Sequence, residues 1–139
     1  MMRGRDPEAE ALRRRAIDLL EAGELDRARA LLESVELESR DLPAFWLLLA
    51  DIDQRQGHHE AAAVSFAEAV RLDPDNDWYS RYLFHSYWRR ARLGELEAVD
   101  LALEELERYL SRFDSPWHER MRANVLWLMD HGGPGSSLN

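Results

Sequence analysis

The sequence predicts an all-α protein built from consecutive helical hairpins, about seven helices in all. Three observations predict it. Alanine, leucine, glutamate and arginine dominate the 139 residues, β-branched residues are few, and threonine is absent, a composition that favours helix over sheet. Apolar residues recur three and four positions apart, the spacing that puts them on one face of a helix. Single glycines separate these amphipathic stretches, and Gly23 and Gly57 are 34 residues apart.

The elements follow in order. Asp6-Pro7-Glu8 is a helix start, a capping side chain followed by a proline whose missing N–H costs nothing there. A first helix is expected over about residues 7–22, with Ala11, Leu12, Ala16, Leu19 and Leu20 as its apolar positions. Gly23 ends it. A second, over about residues 24–36, carries Leu25, Ala28, Leu32 and Val35. Pro43 opens a third, with Trp46, Leu49, Ala50 and Ile52 on one broad face, and Gly57 closes it. The fourth carries Ala62, Phe66, Ala69 and Val70 and stops at Asp73-Pro74. A fifth helix should run to about residue 92, and a sixth, beyond Gly94, carries Val99, Leu103 and Leu106. Ser115-Pro116 starts the last, whose stripe is Trp117, Met121, Val125 and Leu128.

These helices repeat. The pairs Ala28/Ala62, Leu32/Phe66, Leu12/Trp46 and Ala16/Ala50 share the 34-residue spacing of Gly23 and Gly57. Gly57/Gly94, Ala62/Val99, Phe66/Leu103 and Ala69/Leu106 are each 37 apart, so a third copy carries three extra residues between Pro74 and Gly94. A hairpin of this kind cannot bury its apolar face alone, and stacked copies bury a continuous core.

With Trp46, Leu49, Ala50, Gly57, Ala62, Phe66, Ala69 and Pro74 in one register, the middle repeat resembles a tetratricopeptide repeat (TPR). The resemblance covers about residues 9–112. It departs at Asp53, where the family usually has an aromatic, at Arg15, which takes an apolar position, and at Arg40, where proline is usual. It implies a TPR-like solenoid, an α-α superhelix of three hairpins closed by a capping helix. The expected organisation is a disordered segment over 1–5, one domain over 6–131 and a disordered tail over 132–139. Within the domain, repeats fall near 9–42, 43–76 and 77–112, and the cap over 115–131.

Composition excludes several functions. With no cysteine, disulfide scaffolds, thiol nucleophiles and thiolate metal sites are absent. A net charge of −9 argues against nucleic acid as a partner. The longest apolar run, residues 44–50, is too short for membrane insertion. The charged N-terminus lacks the apolar core of a signal peptide, so a cytoplasmic location is expected. All 18 basic residues are arginine, which reads as a GC-rich, bacterial genome.

No catalytic, metal or cofactor site is expected. His58 and His59 are adjacent on a turn and point apart, without a third ligand. His85, His118 and His131 are scattered, and Glu104-Glu105 reads as a solvated helix face. The chain is therefore expected to be a non-catalytic adaptor, scaffold or assembly factor. The alternatives are a small secretion or folding chaperone and a self-assembling subunit.

In proteins that resemble this one, the first helices of successive hairpins line a groove for a partner peptide or helix. Carried over by register, the groove row is Arg13, Ile17, Leu20 and Glu21 in the first repeat, then Leu47, Asp51, Gln54 and Arg55 in the second. The three extra residues leave two choices in the third: Leu83, Tyr87, Arg90 and Ala91, or Phe84, Trp88, Ala91 and Arg92. Phe84, Tyr87 and Trp88 are the aromatic candidates for a binding hot spot. Asp51 and Arg55, four apart, have the plainer reading of a pair along their own helix. In the last helix Val125-Leu126-Trp127-Leu128-Met129 is apolar all round. It either tucks into the core or offers Leu126, Trp127 and Met129 to a homodimer or partner.

Overall fold

The structure, a computed structural model, describes residues 7–34 and 42–132. Seven helices occupy them: α1 Pro7–Glu21, α2 Leu25–Glu33, α3 Pro43–Arg55, α4 His59–Leu72, α5 Asp77–Arg92, α6 Glu97–Leu110 and α7 Pro116–His131. There is no strand among the described residues, and the all-α, seven-helix expectation holds. The expectations for residues 1–5, for Arg40, for the last turn of the second helix and for the tail from residue 133 fall outside the described residues.

The chain forms two compact units, Met1–Asp73 and Pro74–Asn139. The first holds the α1–α2 and α3–α4 hairpins. The second holds the α5–α6 hairpin with α7 packed on α6.

One turn is used three times. Gly57 has φ +80°, a conformation open to glycine at little cost. Its N–H donates to the Gln54 carbonyl at 3.1 Å, and the His58 N–H reaches back to Asp53 at 2.7 Å. These two bonds close the end of α3 as a Schellman motif. The same pair recurs at Gly23 with Leu20 and Glu24 with Leu19, and at Gly94 with Ala91 and Glu95 with Arg90. The glycine spacing in the sequence is therefore the spacing of a helix-ending device. The three extra residues of the third copy lie in α5, which has 16 residues against 13 in α3. Three residues are nearly one helical turn, so the hairpin lengthens without losing its apolar face.

In the first unit Ala16 and Leu20 of α1, Ala28 and Leu32 of α2, and Phe45 and Ile52 of α3 form the core. Asp53, at the position where the family usually has an aromatic, is only 5% exposed. Its carboxylate accepts from Arg29 Nη2 at 2.5 Å, and the same nitrogen donates to Gln56 Oε1 at 2.8 Å. Gln56 Nε2 in turn donates to Asp26 at 3.2 Å. A polar chain thus joins α2 to the end of α3, and the buried charge is paired, as burial demands.

In the second unit Phe84 and Ala91 of α5, Ala98, Val99, Ala102 and Leu106 of α6, and Val125 of α7 form the core. Asn76 and Ser115 cap α5 and α7, their side chains accepting from the N–H groups of Tyr79 and His118.

Candidate partner-binding groove

α5 and α7 enclose a cavity of about 350 Å³, within the range of sites that hold a small group. Phe84, His85, Trp88 and Arg92 supply one wall, and Met121, Asn124, Val125, Trp127 and Leu128 supply the other. Phe84 is buried and forms the floor. Its ring stacks on Trp88, with centroids 6.1 Å apart and planes 12° apart, and meets Trp117 edge-on at 5.6 Å. Trp127 stands at the mouth, 46% exposed. Its indole lies flat on the His131 ring, centroids 3.9 Å apart and planes 3° apart. His131 Nδ1 is 2.8 Å from the Trp127 carbonyl oxygen, a contact that sets the imidazole against the indole. His85 has its pKa pushed down by burial and by the cations Arg89 and Arg81, which leaves it neutral at pH 7.

Of the two groove rows open in the third repeat, Phe84, Trp88 and Arg92 of one line this cavity, while Ala91 is buried in the core. Phe84, Trp88 and Arg92 stand ten, six and two residues before Gly94, as Leu47, Asp51 and Arg55 stand before Gly57. The extra residues precede this stretch, so counting back from the helix-ending glycine preserves the register. Leu83 of the other row is buried. Tyr87 is half-buried against the second-unit core and lies off the cavity.

The first-unit row is more dispersed. Arg13 is exposed and Ile17 is 37% exposed, while Leu47, Asp51 and Gln54 are half-buried. Leu20 requires a correction: at 3% exposure it is a core residue, one turn beyond Ala16 on the stripe that packs on α2 and α3. Asp51 and Arg55 do pair, with Arg55 Nε donating to Asp51 Oδ1 at 2.9 Å. Arg55 Nη1 also donates to the Leu20 carbonyl at 3.1 Å, a second bond to an oxygen that already accepts from the Gly23 N–H. The two side chains are part of a clamp between α3 and α1.

Glu105 also departs from expectation. It is 6% exposed, on the face of α6 turned toward α5 and α7. Its carboxylate accepts two bonds from Arg108, at 2.9 and 2.7 Å, and one from Ser80 Oγ at 2.6 Å. Ser80 Oγ lies 2.9 Å from His118 Nε2, and Ser115 Oγ 2.6 Å from His118 Nδ1. The proton inventory is determined by the carboxylate, which can only accept. Ser80 donates to Glu105 and so accepts from His118 Nε2–H. His118 Nδ1 then accepts from Ser115, whose oxygen accepts the His118 backbone N–H at 3.2 Å.

A hydroxyl, an imidazole and a carboxylate in contact invite a nucleophile reading, and the direction of the protons argues against it. An activating base must take the hydroxyl proton; here the imidazole gives one to the hydroxyl. Ser80 and His118 are fully buried, and neither lines the groove. The cluster is a three-helix fastener, and burial holds the His118 pKa below its ordinary value. Among the described residues no group of three or more His, Cys, Asp or Glu side chains is placed to hold a metal ion. No described helix is long and apolar enough to cross a membrane.

Sequence reasoning missed α7 as a groove wall, along with Asn124. Ser115-Pro116 marked the start of α7, as Pro43 marked that of α3, and left no signal of which face the helix would turn to α5. The fastener left no linear signal, because Ser80, Glu105 and His118 come from three helices, 25 and 38 residues apart.

Residues 19–82 match the sequence family described as tetratricopeptide repeat. No curated protein and no solved structure matches the chain. Such repeats generally mediate protein–protein interaction and are generally non-catalytic. Three glycine-closed hairpins and a seventh helix, together with the match from the last turn of α1 through α4 and into α5, support a protein of the tetratricopeptide-repeat type.

Proposed function

We propose that this protein is a non-catalytic interaction module that seats a segment of a partner polypeptide in the groove between α5 and α7. The observation that carries this reading is the aromatic cavity itself. Trp88 and Trp127 form its two sides, Phe84 its floor, and Trp127 is half out of contact with the protein. Tryptophan in a concave apolar site is the side chain that most often dominates binding energy between proteins. The face carrying Ile17, Leu47 and the Asp51–Arg55 pair is a weaker candidate, since its polar groups already satisfy one another.

Affinity capture from the native lysate with the parent chain, Trp88→Ala and Asp51→Arg tests this. Loss of a captured protein with Trp88→Ala, at unchanged helicity, supports the α5–α7 groove. Loss with Asp51→Arg alone moves the site to the first unit, and capture unchanged in both refutes both assignments.

A second reading is self-association through α7. It is favoured by Leu126, Trp127 and Met129, each between 46% and 47% exposed near the helix end, more apolar surface than a free helix end needs. Light scattering over a concentration series, with and without Leu126→Glu and Met129→Glu together, separates it. A mass that doubles with concentration in the parent alone supports it.

A further inference from the structure

The groove reading leaves the chemistry of the partner segment open, and the charges around the cavity restrict it. The chain is acidic overall, at −9, yet no carboxylate lines the cavity. α5, one of its walls, carries four arginines and a single aspartate. Two of these arginines are engaged: Arg81 binds Asp77 through two bonds of 2.9 Å, and Arg90 binds Glu95 at 2.8 Å. Arg89 and Arg92 have no ion-pair partner among the described residues. Arg92 lines the cavity, and Arg89 stands one helical turn beyond His85, whose ring also lines it. His85, Arg89 and Arg92, at spacings of four and three, share one face of α5. The cavity is therefore a greasy slot with a cationic edge, on a chain that is acidic overall.

Resting on that groove reading, we infer that the segment seated between α5 and α7 is acidic: a large apolar side chain fills the cavity between Trp88 and Trp127, and aspartate or glutamate within a few residues of it meets Arg92 and Arg89. The apolar anchor supplies affinity. The carboxylates supply orientation and exclude basic segments, and their contribution weakens with salt because the arginines are open to solvent. An arginine fork also matches a carboxylate in two-point geometry.

Selection of a random 12-residue peptide library displayed on phage, against the whole chain, tests this without knowledge of the natural partner. The expected winners carry an aromatic or leucine flanked by Asp or Glu. Made as synthetic peptides with blocked ends, they should bind Trp127→Ala and Arg92→Glu at least about tenfold more weakly than the parent. Replacing their acidic residues by Gln or Asn should cost a similar factor on the parent and little on Arg92→Glu. Both substituted side chains are substantially exposed, and circular dichroism checks that the variants stay folded.

Winners that are apolar but not acidic, and that are lost on Trp127→Ala, would overturn the charge inference and leave the groove reading standing. Winners indifferent to Trp127→Ala would overturn both. Failure to enrich any sequence would overturn the inference, as would equal competition by polyglutamate, which lacks an anchor. A dimer of the chain abolished by Trp127→Ala would put a second copy in the slot and overturn it as well.

Discussion

Replacing Ser80 by alanine removes one oxygen from the fully buried centre of the second unit, and the structure sets the cost. His118 Nε2–H loses its acceptor at 2.9 Å, and an orphaned buried donor costs about 1–3 kcal/mol. Glu105 loses the 2.6 Å bond from the hydroxyl but keeps two bonds from Arg108, so its charge is not abandoned. Alanine is the better helix former, which returns about 0.5 kcal/mol. The expected net loss is about 2 kcal/mol. Urea unfolding followed by tryptophan fluorescence suits the measurement, because four of the five tryptophans lie in the second unit. The midpoint should fall with an unchanged denaturant slope. The double variant with His118→Leu should cost about 1 kcal/mol or more less than the sum of the two single changes, since it removes donor and acceptor together. A Ser80→Ala change within about 0.5 kcal/mol of the parent, or strict additivity in the cycle, would refute the proton inventory.

Acid should weaken the second unit through His118. Its folded pKa lies below the ordinary value of 6.5, burial being the main cause. Below about pH 6.5 the unfolded chain therefore takes up a proton that the folded chain refuses, and stability falls until the folded pKa is passed. Unfolding free energies measured from pH 7.5 to 5 should show this slope in the parent and lose it in His118→Gln. Gly57→Ala should cost about 1 kcal/mol, because φ +80° suits only glycine, while the added methyl meets nothing within 4 Å; thermal unfolding measures it. Arg29→Ala leaves the buried Asp53 carboxylate without its cation and should destabilise by about 2–3 kcal/mol. Asp53→Asn in the same background should recover part of that loss.

The helices and their repetition were legible because the signals are local. Pro43 and Pro116 at the first helical positions, Ser115 as a cap, and Gly23, Gly57 and Gly94 at helix ends act within a few residues of themselves. The three extra residues of the third copy were visible as a change of spacing, and their placement in α5 needed the structure, because a helix absorbs nearly one turn without an internal mark. The groove was legible on one side alone. Phe84 and Trp88 stood in one of the two rows that the register left open, whereas the opposite wall depends on how α7 packs, and Trp127 was expected at an outer contact. Leu20 shows the limit of carrying a row over by position: three residues before Gly23 it lies in the core, as Ala91 does three residues before Gly94. Glu105, His118 and Asp53 were hidden for another reason. Their residue types announce solvent, and only side chains from other helices (Ser80 and Ser115 for His118, Arg29 for Asp53) make burial tolerable.

The central claim is that a partner chain sits against Trp127 in the α5–α7 groove. Its most direct test is site-directed photocrosslinking in the native lysate, with a photoreactive amino acid in place of Trp127 and, separately, of Val64, a still more open apolar position on α4. The account predicts a discrete crosslinked protein from position 127 and none from position 64. Crosslinks from position 64 with none from position 127, or the same product from both, would contradict it.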